Sequence, residues 1–593
     1  MPLRLVLLAL FYLTACSPMP RHDAAPVAAD RILVNASVYT LSWAAPSVDG
    51  TPSPAAPVRQ GHWTPDAQAI AIADGRIVYA GSVEAAMRHR TDGTNIIDLG
   101  GATVLPGLHD SHTHVFALGE KLTQVDLTDA VDEDDAIARV VARARVTPAG
   151  EWILGGGWDE GAWADRYPDK RKLSAAVPDH PVVLRSLHGF ALWANQAALR
   201  AAGITAQTKV PVGGERRLAA DGTPSGLFLN RATTMFNRAI PAPTEAQLMA
   251  QALAGLNRMA EDGFVTVHDA GLNSAQMAAL ERLEAEGRLP IRVYAMLSLR
   301  DEPLIERWLR RGPVRDTERR LVTRTVKAYY DGALGSRGAR LLDDYSDKPG
   351  HRGVSGDNYG FNEALNERAM RAGFQVAIHA IGDAGNREAL DIIERNYRSA
   401  PESARLRHRI EHAQVLHPDD IPRLQALGII ASMEPPHAME DKAWAEQRLG
   451  PARIRGAYAW RSLRMSGARI TFNSDNPGSD HNIFYGLHSA VTRQDKNLEP
   501  PGGWFPEQRM TAEEALRAYT IGAAYASFRE DRTGVIAPGR WADLTVIDID
   551  PLNTAATRPN DLLNGRVLMT VVDGEVVSRR SPPGVAGSLN RER

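Results

Sequence analysis

An α/β fold organised as a (β/α)8 TIM-type barrel is predicted by three observations. Eight strand-like apolar runs alternate with helical stretches between residues 103 and 475, as in a parallel sheet. Histidine, lysine or aspartate stands at the ends of five of those runs, where barrel chemistry sits. Asp-Gly hairpin signals near both chain ends fall outside the alternation and predict a separate small β-sandwich.

The first element is a leader. Arg4 supplies a positive start, Leu5 to Leu13 is apolar, and Leu13-Thr14-Ala15-Cys16 closes the segment with small residues. Residues 1–15 are therefore read as a signal peptide and set aside from the fold. The tetrapeptide resembles the lipobox of bacterial lipoproteins, which implies acylation of Cys16 and a membrane anchor there. Ser17 follows, which favours the outer membrane, with the protein facing the periplasm. Cys16 is the only cysteine, so no intramolecular disulfide can form. Residues 16–30, rich in Ala and Pro, suit a flexible tether.

Next come Arg31 to Leu41, which alternates like a strand, and a Pro, Ser and Gly-rich surface loop to about Asp66. Asp74-Gly75 divides two β-rich runs, and Asp573-Gly574 repeats the device near the C-terminus. Neither end has enough strands to bury a face alone, so residues 31–104 and 534–580 are expected to form one composite β-sandwich. A tail follows at 581–593.

Residues 105–533 make the barrel. Its expected strands are Thr103 to Leu108, Phe264 to His268, Ile291 to Met296, Thr325 to Tyr330, Phe374 to His379, His408 to His412, Ile429 to Met433 and Ile470 to Asp475. The interval after the first strand is too long for one crossover and is read as an inserted subdomain at about 115–260. Its Gly155-Gly156-Gly157-Trp158, His188, Trp193 and Asn195 either line a substrate pocket or pack inside the insert.

The net charge of -3, with both signs interspersed, argues against a nucleic-acid groove. A small-molecule substrate is the expected partner. The oligomeric state is open, and a homodimer is compatible with the sequence.

His112 and His114 stand two apart on an extended segment, so their rings share one face. Two imidazoles fixed on a strand suit a divalent metal, although a surface pair at a strand end has the same pattern. The wider set is more specific. Pro106-Gly107-Leu108-His109-Asp110-Ser111-His112-Thr113-His114, Val326-Lys327 with Asp331-Gly332-Ala333-Leu334-Gly335-Ser336-Arg337, Ile378-His379-Ala380-Ile381-Gly382-Asp383, Arg409-Ile410-Glu411-His412-Ala413 and Asn473-Ser474-Asp475 resemble the amidohydrolase superfamily. They look most like its family 3, which includes N-substituted formamide deformylases. His109 departs from the resemblance, which has an aliphatic residue there.

The resemblance implies two divalent ions, Zn2+ by expectation, held by His112, His114 and Asp475 and by His379 and His412, with a carboxylated Lys327 bridging them. An ordinary Lys327 paired with Asp331 would imply one ion instead. It further implies hydrolysis of a non-peptide carbon–nitrogen bond, in an N-substituted formamide or N-acyl amine, by metal-activated hydroxide, with Asp475 moving the proton. Trp158, His188, Asn195, Arg337 and His437 are the candidate substrate contacts, and His268 and Asp269 are candidate supports for the ligands. Two other readings remain: hydrolysis of cyclic amides or esters on the same core, and a lipid-anchored binding protein without turnover.

Overall fold

The computed structural model describes residues 26–580 apart from 159–162, 164–166, 187–190 and 212. The leader, Cys16, the start of the tether, His188 and the tail lie outside the described residues.

Eight parallel strands form the central sheet in chain order: β1 (Leu108–Thr113), β2 (Phe264–Leu272), β3 (Arg292–Ser298), β4 (Leu321–Tyr329), β5 (Gln375–Ala380), β6 (Arg409–His412), β7 (Ile430–Met433) and β8 (Arg469–Phe472). The seam between β8 and β1 is drawn together just beyond the strand ends. Asp475 N–H donates to the His112 carbonyl and His114 N–H to the Asn476 carbonyl, both at 2.8 Å. Asp110 adds to it by accepting from the Ser474 amide and hydroxyl. The sheet is thus a nearly closed barrel.

Seven strands fall within a few residues of their expected positions. The first is corrected. Thr103–Pro106 pairs with Ser37–Val38 and Leu544–Ile547 in a different sheet, and barrel strand β1 begins at Leu108. One apolar run serves two sheets, because Pro106 and Gly107 break it between them. Alternation within so short a run carries no mark of which sheet it joins.

That second sheet has five strands: Ser37–Val38, Thr103–Pro106, Leu544–Ile547, Val567–Val572 and Glu575–Arg579. It shares a core with a four-stranded sheet of Arg31–Val34, Ala69–Ala73, Arg76–Gly81 and Asn95–Asp98 through Leu33, Ile70, Val104, Leu544, Val546 and Val571. Both Asp-Gly pairs sit in two-residue turns with left-handed backbone at each residue: φ is 49° and 70° at Asp74 and Gly75, 51° and 76° at Asp573 and Gly574. This twist matches that of paired strands. The second turn also reaches under the barrel, where Asp543 and Asp573 flank Arg292 at the start of β3.

Between β1 and β2 lies a six-stranded sheet running from Val125–Asp126 to Pro224–Asn230, with its own apolar cores. The helices on either side, Val115–Thr123 and Glu245–Glu261, cross closely. A Cβ at Gly119 would lie 1.8 Å from the Gln251 carbonyl oxygen, and one at Gly255 would lie 2.4 Å from that of Val115. The two glycines therefore let the helices close the base of the insertion. Among the described residues no helix is long and apolar enough to cross a membrane.

Candidate metal centre

The barrel interior carries many polar side chains, among them His268, Thr325, Gln375, Arg409 and Ser432, where an apolar filling would be usual. Lys327 on β4, His379 on β5, Glu411 and His412 ending β6, and Asp475 after β8 all reach the mouth, beside His112 on β1 and His114 just past it. His112 is fully buried, Lys327 1% exposed and His412 4% exposed. Ring centroids lie 5.5 Å apart for His112 and His114, 5.2 Å for His112 and His412, and 4.4 Å for His379 and His412. Distant segments therefore converge on one small volume.

Backbone shape contributes to this convergence. His412 has φ 73° and Asp475 φ 51°, left-handed values that side-chain-bearing residues rarely adopt. In a regular strand Glu411 and His412 would point to opposite faces. The turn at His412 instead brings both into the site, Glu411 to His112 and His412 to Glu434.

Hydrogen bonds then settle which ring nitrogen is available. Glu411 Oε2 accepts from His112 Nδ1 at 2.6 Å and Glu434 Oε2 from His412 Nδ1 at 3.1 Å. Each carboxylate fixes the proton on Nδ1 and leaves Nε2 unprotonated, the arrangement that orients metal-bound imidazoles. His379 Nε2 is buried without a hydrogen-bond partner. Asp475 Oδ1 lies 3.1 Å from His114 Nε2 and 3.4 Å from His112 Nε2.

Charge follows the same logic. Burial, then Lys327, lowers His112 to about 4 against the pull of Glu411, and burial with His412 and Lys327 keeps His379 well below the usual range. Both rings are neutral at pH 7. Burial alone would raise Asp475, but His114 and His112 bring it well below the ordinary carboxylate range. For Glu434 burial again opposes, and His412 and His437 pull it to about 2. Burial works against a charged His437, yet Glu434 and Asp441 raise it to about 10, so that ring is a cation.

Lys327 is the outlier. Burial lowers its amine to about 8, and its Nζ lies 3.0 Å from His112 Nε2. Among the described residues it makes no ion pair. Asp331, the alternative partner, is engaged elsewhere, accepting from the Arg340, Ile381 and Gly382 amides at 2.8–2.9 Å. A buried ammonium without an ion-pair partner is costly.

These donors fit divalent metal. His112, His114 and Asp475 offer ligand atoms within 4.8 Å of one another, as do His412, Glu434 and His437. The second grouping differs from the expected pairing of His412 with His379. Glu411 and Glu434 were overlooked as site residues in the sequence, although Glu411 stands beside His412 in a quoted run and Glu434 directly follows the seventh expected strand, three residues before His437. A carboxylate at a strand end, next to or three residues before a histidine, was the available signal.

Three of the expected substrate contacts are held by partners within the chain. Trp158 is fully buried against Trp163 and donates to the Leu184 carbonyl. Asn195 spends its whole amide inside the insert, donating to the Val177 and His180 carbonyls and accepting from the Val182 and Ala198 amides. Arg337 pairs with Asp347. Each side chain is committed to a partner that sequence spacing does not reveal. His437 does reach the mouth, 6.3 Å from His412. His268 meets Arg409, and Asp269 accepts from the Val115 amide.

A parallel barrel whose mouth gathers neutral imidazoles, ionised carboxylates and a buried lysine is a metal-dependent hydrolase scaffold. The chain belongs to the amidohydrolase family, whose pattern it matches over residues 95–578. It is 31% identical over 525 residues to YtcJ of Bacillus subtilis, covering 87% of this chain and 96% of that one. It is 27% identical to the N-substituted formamide deformylase of Arthrobacter pascens, covering 86% and 94%. Among solved structures, an uncharacterized metal-dependent hydrolase of Pyrococcus horikoshii superposes with a TM-score of 0.69 at 26% identity, covering 89% and 99%.

Proposed function

We propose that this protein hydrolyses a carbon–nitrogen bond outside peptides, in an N-substituted formamide or N-acyl amine, at a site for two zinc ions. His112, His114 and Asp475 would hold one ion and His379 and His412 the other, with Lys327, carboxylated, bridging. The supporting observation is Lys327 itself: buried, its pKa lowered to about 8, without an ion pair among the described residues and 3.0 Å from His112 Nε2. An unprotonated amine is the form that adds carbon dioxide, and the resulting carbamate replaces a cation with an anionic oxygen donor.

Bound divalent ions supply a water acidic at about pH 7 rather than at about 15.7, and polarise a carbonyl. The chain does the rest. Asp475, ionised, accepts the proton of the attacking water and passes it to the leaving nitrogen. Glu411 and Glu434 keep His112 and His412 in the tautomer that exposes Nε2. His437, cationic at the rim, faces the substrate and offers it an N–H. The same reading places the mature chain on the periplasmic side of the outer membrane through lipidated Cys16, with residues 31–104 and 534–580 working as one sandwich domain.

The test is a turnover screen of zinc-loaded protein on formamides, N-acyl amines, cyclic imides and esters. Close to two zinc equivalents and turnover of a formamide or N-acyl amine are expected. Turnover confined to esters or imides would overturn the substrate class, and a single equivalent the two-ion site. Cys16→Ser is expected to move the protein from the membrane to the soluble fraction.

A further inference from the structure

Below the mouth, the barrel floor holds polar atoms that no side chain or backbone group satisfies. His109, Thr266, His268 and Arg529 are all fully buried. Both ring nitrogens of His109, Thr266 Oγ1, His268 Nε2, and Arg529 Nε and Nη1 lack any hydrogen-bond partner among the described residues. His109 is also the residue that departs from the family resemblance, and nothing in the mechanism uses it.

The atoms belong to one neighbourhood. Thr266 lies opposite His109 in the pairing of β1 with β2, and the His109 and His268 rings are 6.4 Å apart. Arg529 stacks on Trp541 at 5.5 Å, the same indole that covers Arg292 at 3.6 Å. Burial first, then the charges of Arg529 and Arg292, hold His109 neutral, down to about 3.

Their chemistry is weighted towards donors. Arg409 Nη1 lies 2.9 Å from His268 Nδ1, and because arginine only donates, His268 must carry its proton on Nε2. The unmet set is therefore the Nε N–H and the Nη1 NH2 of Arg529, one N–H from His268, one N–H and one ring acceptor of neutral His109, and the Thr266 hydroxyl. Charge is unbalanced as well. Arg292 and Arg320 share Asp543 and Asp573, while the one side-chain hydrogen bond of Arg529 among the described residues goes to the Arg319 carbonyl at 2.6 Å. Three guanidinium groups meet two carboxylates. Water could fill the donors but would leave the surplus charge; one anion answers both.

We propose that the barrel floor binds a small monovalent anion, of the chloride class, between Arg529 and His109. An open cleft of about 340 Å³ reaches Trp541 and Asp573 from outside, and Arg529 lies 5.5 Å from that indole. The ion has a route of influence too. From His268 a chain runs through Arg409 to Glu411 at 3.0 Å and on to His112, so an occupied floor braces a ligand histidine from below.

Crystals of the full chain grown in sodium bromide and measured at the bromine absorption edge test this directly. The expected result is an anomalous peak within hydrogen-bond reach of both Arg529 and His109. A floor without that peak, its donors met by water or by one another, would overturn the proposal. In solution, the melting temperature is expected to be several degrees higher in sodium bromide than in sodium gluconate of equal ionic strength, and His109→Leu to abolish the gap. Equal melting in the two salts, or a gap that survives in His109→Leu, would count against it. If the variant does not fold, the wild-type diffraction decides.

Discussion

At the floor of the barrel Arg292 lies between two carboxylates, 2.7 Å from Asp543 and in contact with Asp573, with Trp541 stacked on its face. At the mouth Lys327 is as deeply buried and has no carboxylate partner. One sheet thus buries two cations in opposite ways. Arg292 itself has carboxylate partners in Asp543 and Asp573, which fastens the sandwich turn to the barrel. At the mouth the imidazoles that surround the lysine direct their free lone pairs inward, and the charge balance is completed by what binds. A finished ion pair holds a fold together, whereas an unfinished one makes a site.

The largest expected effect separates chemistry from metal holding at the mouth. Asp475→Asn keeps its metal content, by elemental analysis, and loses about 10²–10⁴ in kcat, the usual scale for a lost proton-transfer group. Near-normal turnover would remove Asp475 from that role. At the floor, Asp543→Ala leaves Arg292 short of its main partner and lowers stability in urea by about 3–5 kcal/mol, with kcat of the folded protein unchanged. A lower kcat there would break the division between the two ends.

Glu411→Gln probes the tautomer argument. Zinc affinity by competition with a chelator falls about 10- to 100-fold, the range for such supporting carboxylates. The smallest effect concerns His408, buried just before β6, where burial lowers its pKa to about 3. Its Nδ1 accepts from the Val376 amide at 3.0 Å, which requires a neutral ring. Between about 6.5 and about 3 the unfolded chain binds a proton that the native state does not. Stability therefore falls as pH drops through that window, by up to about 1.4 kcal/mol per pH unit for one histidine. His408→Gln removes that share of the slope, measured as melting temperature against pH.

Much of the barrel was legible in short stretches. Strands β2 to β8 announce themselves as β-branched runs with turn residues behind them, and the Asp-Gly turns mark their own positions because the conformation demands them. The first barrel strand was misplaced because one run continues from sheet to barrel across Pro106 and Gly107. At the site, the histidines at strand ends were visible as residue types. The left-handed turns at His412 and Asp475 were not, so the alternation rule hid that Glu411 and His412 enter the same space. Trp158 and Asn195 look like pocket residues by composition, yet their hydrogen bonds are used up within the insert.

Residue order alone was enough to specify strands, turns and the types of side chain at strand ends, because those depend on neighbours within a few positions. Which imidazole nitrogen is free, which cation goes unpaired and which polar atoms are left unmet depend on groups up to several hundred residues apart, such as His112 with Glu411 and Arg292 with Asp543. Hydrogen bonds and ion pairs act over a few ångströms in space, and only closure of the sheet brings these partners within that range.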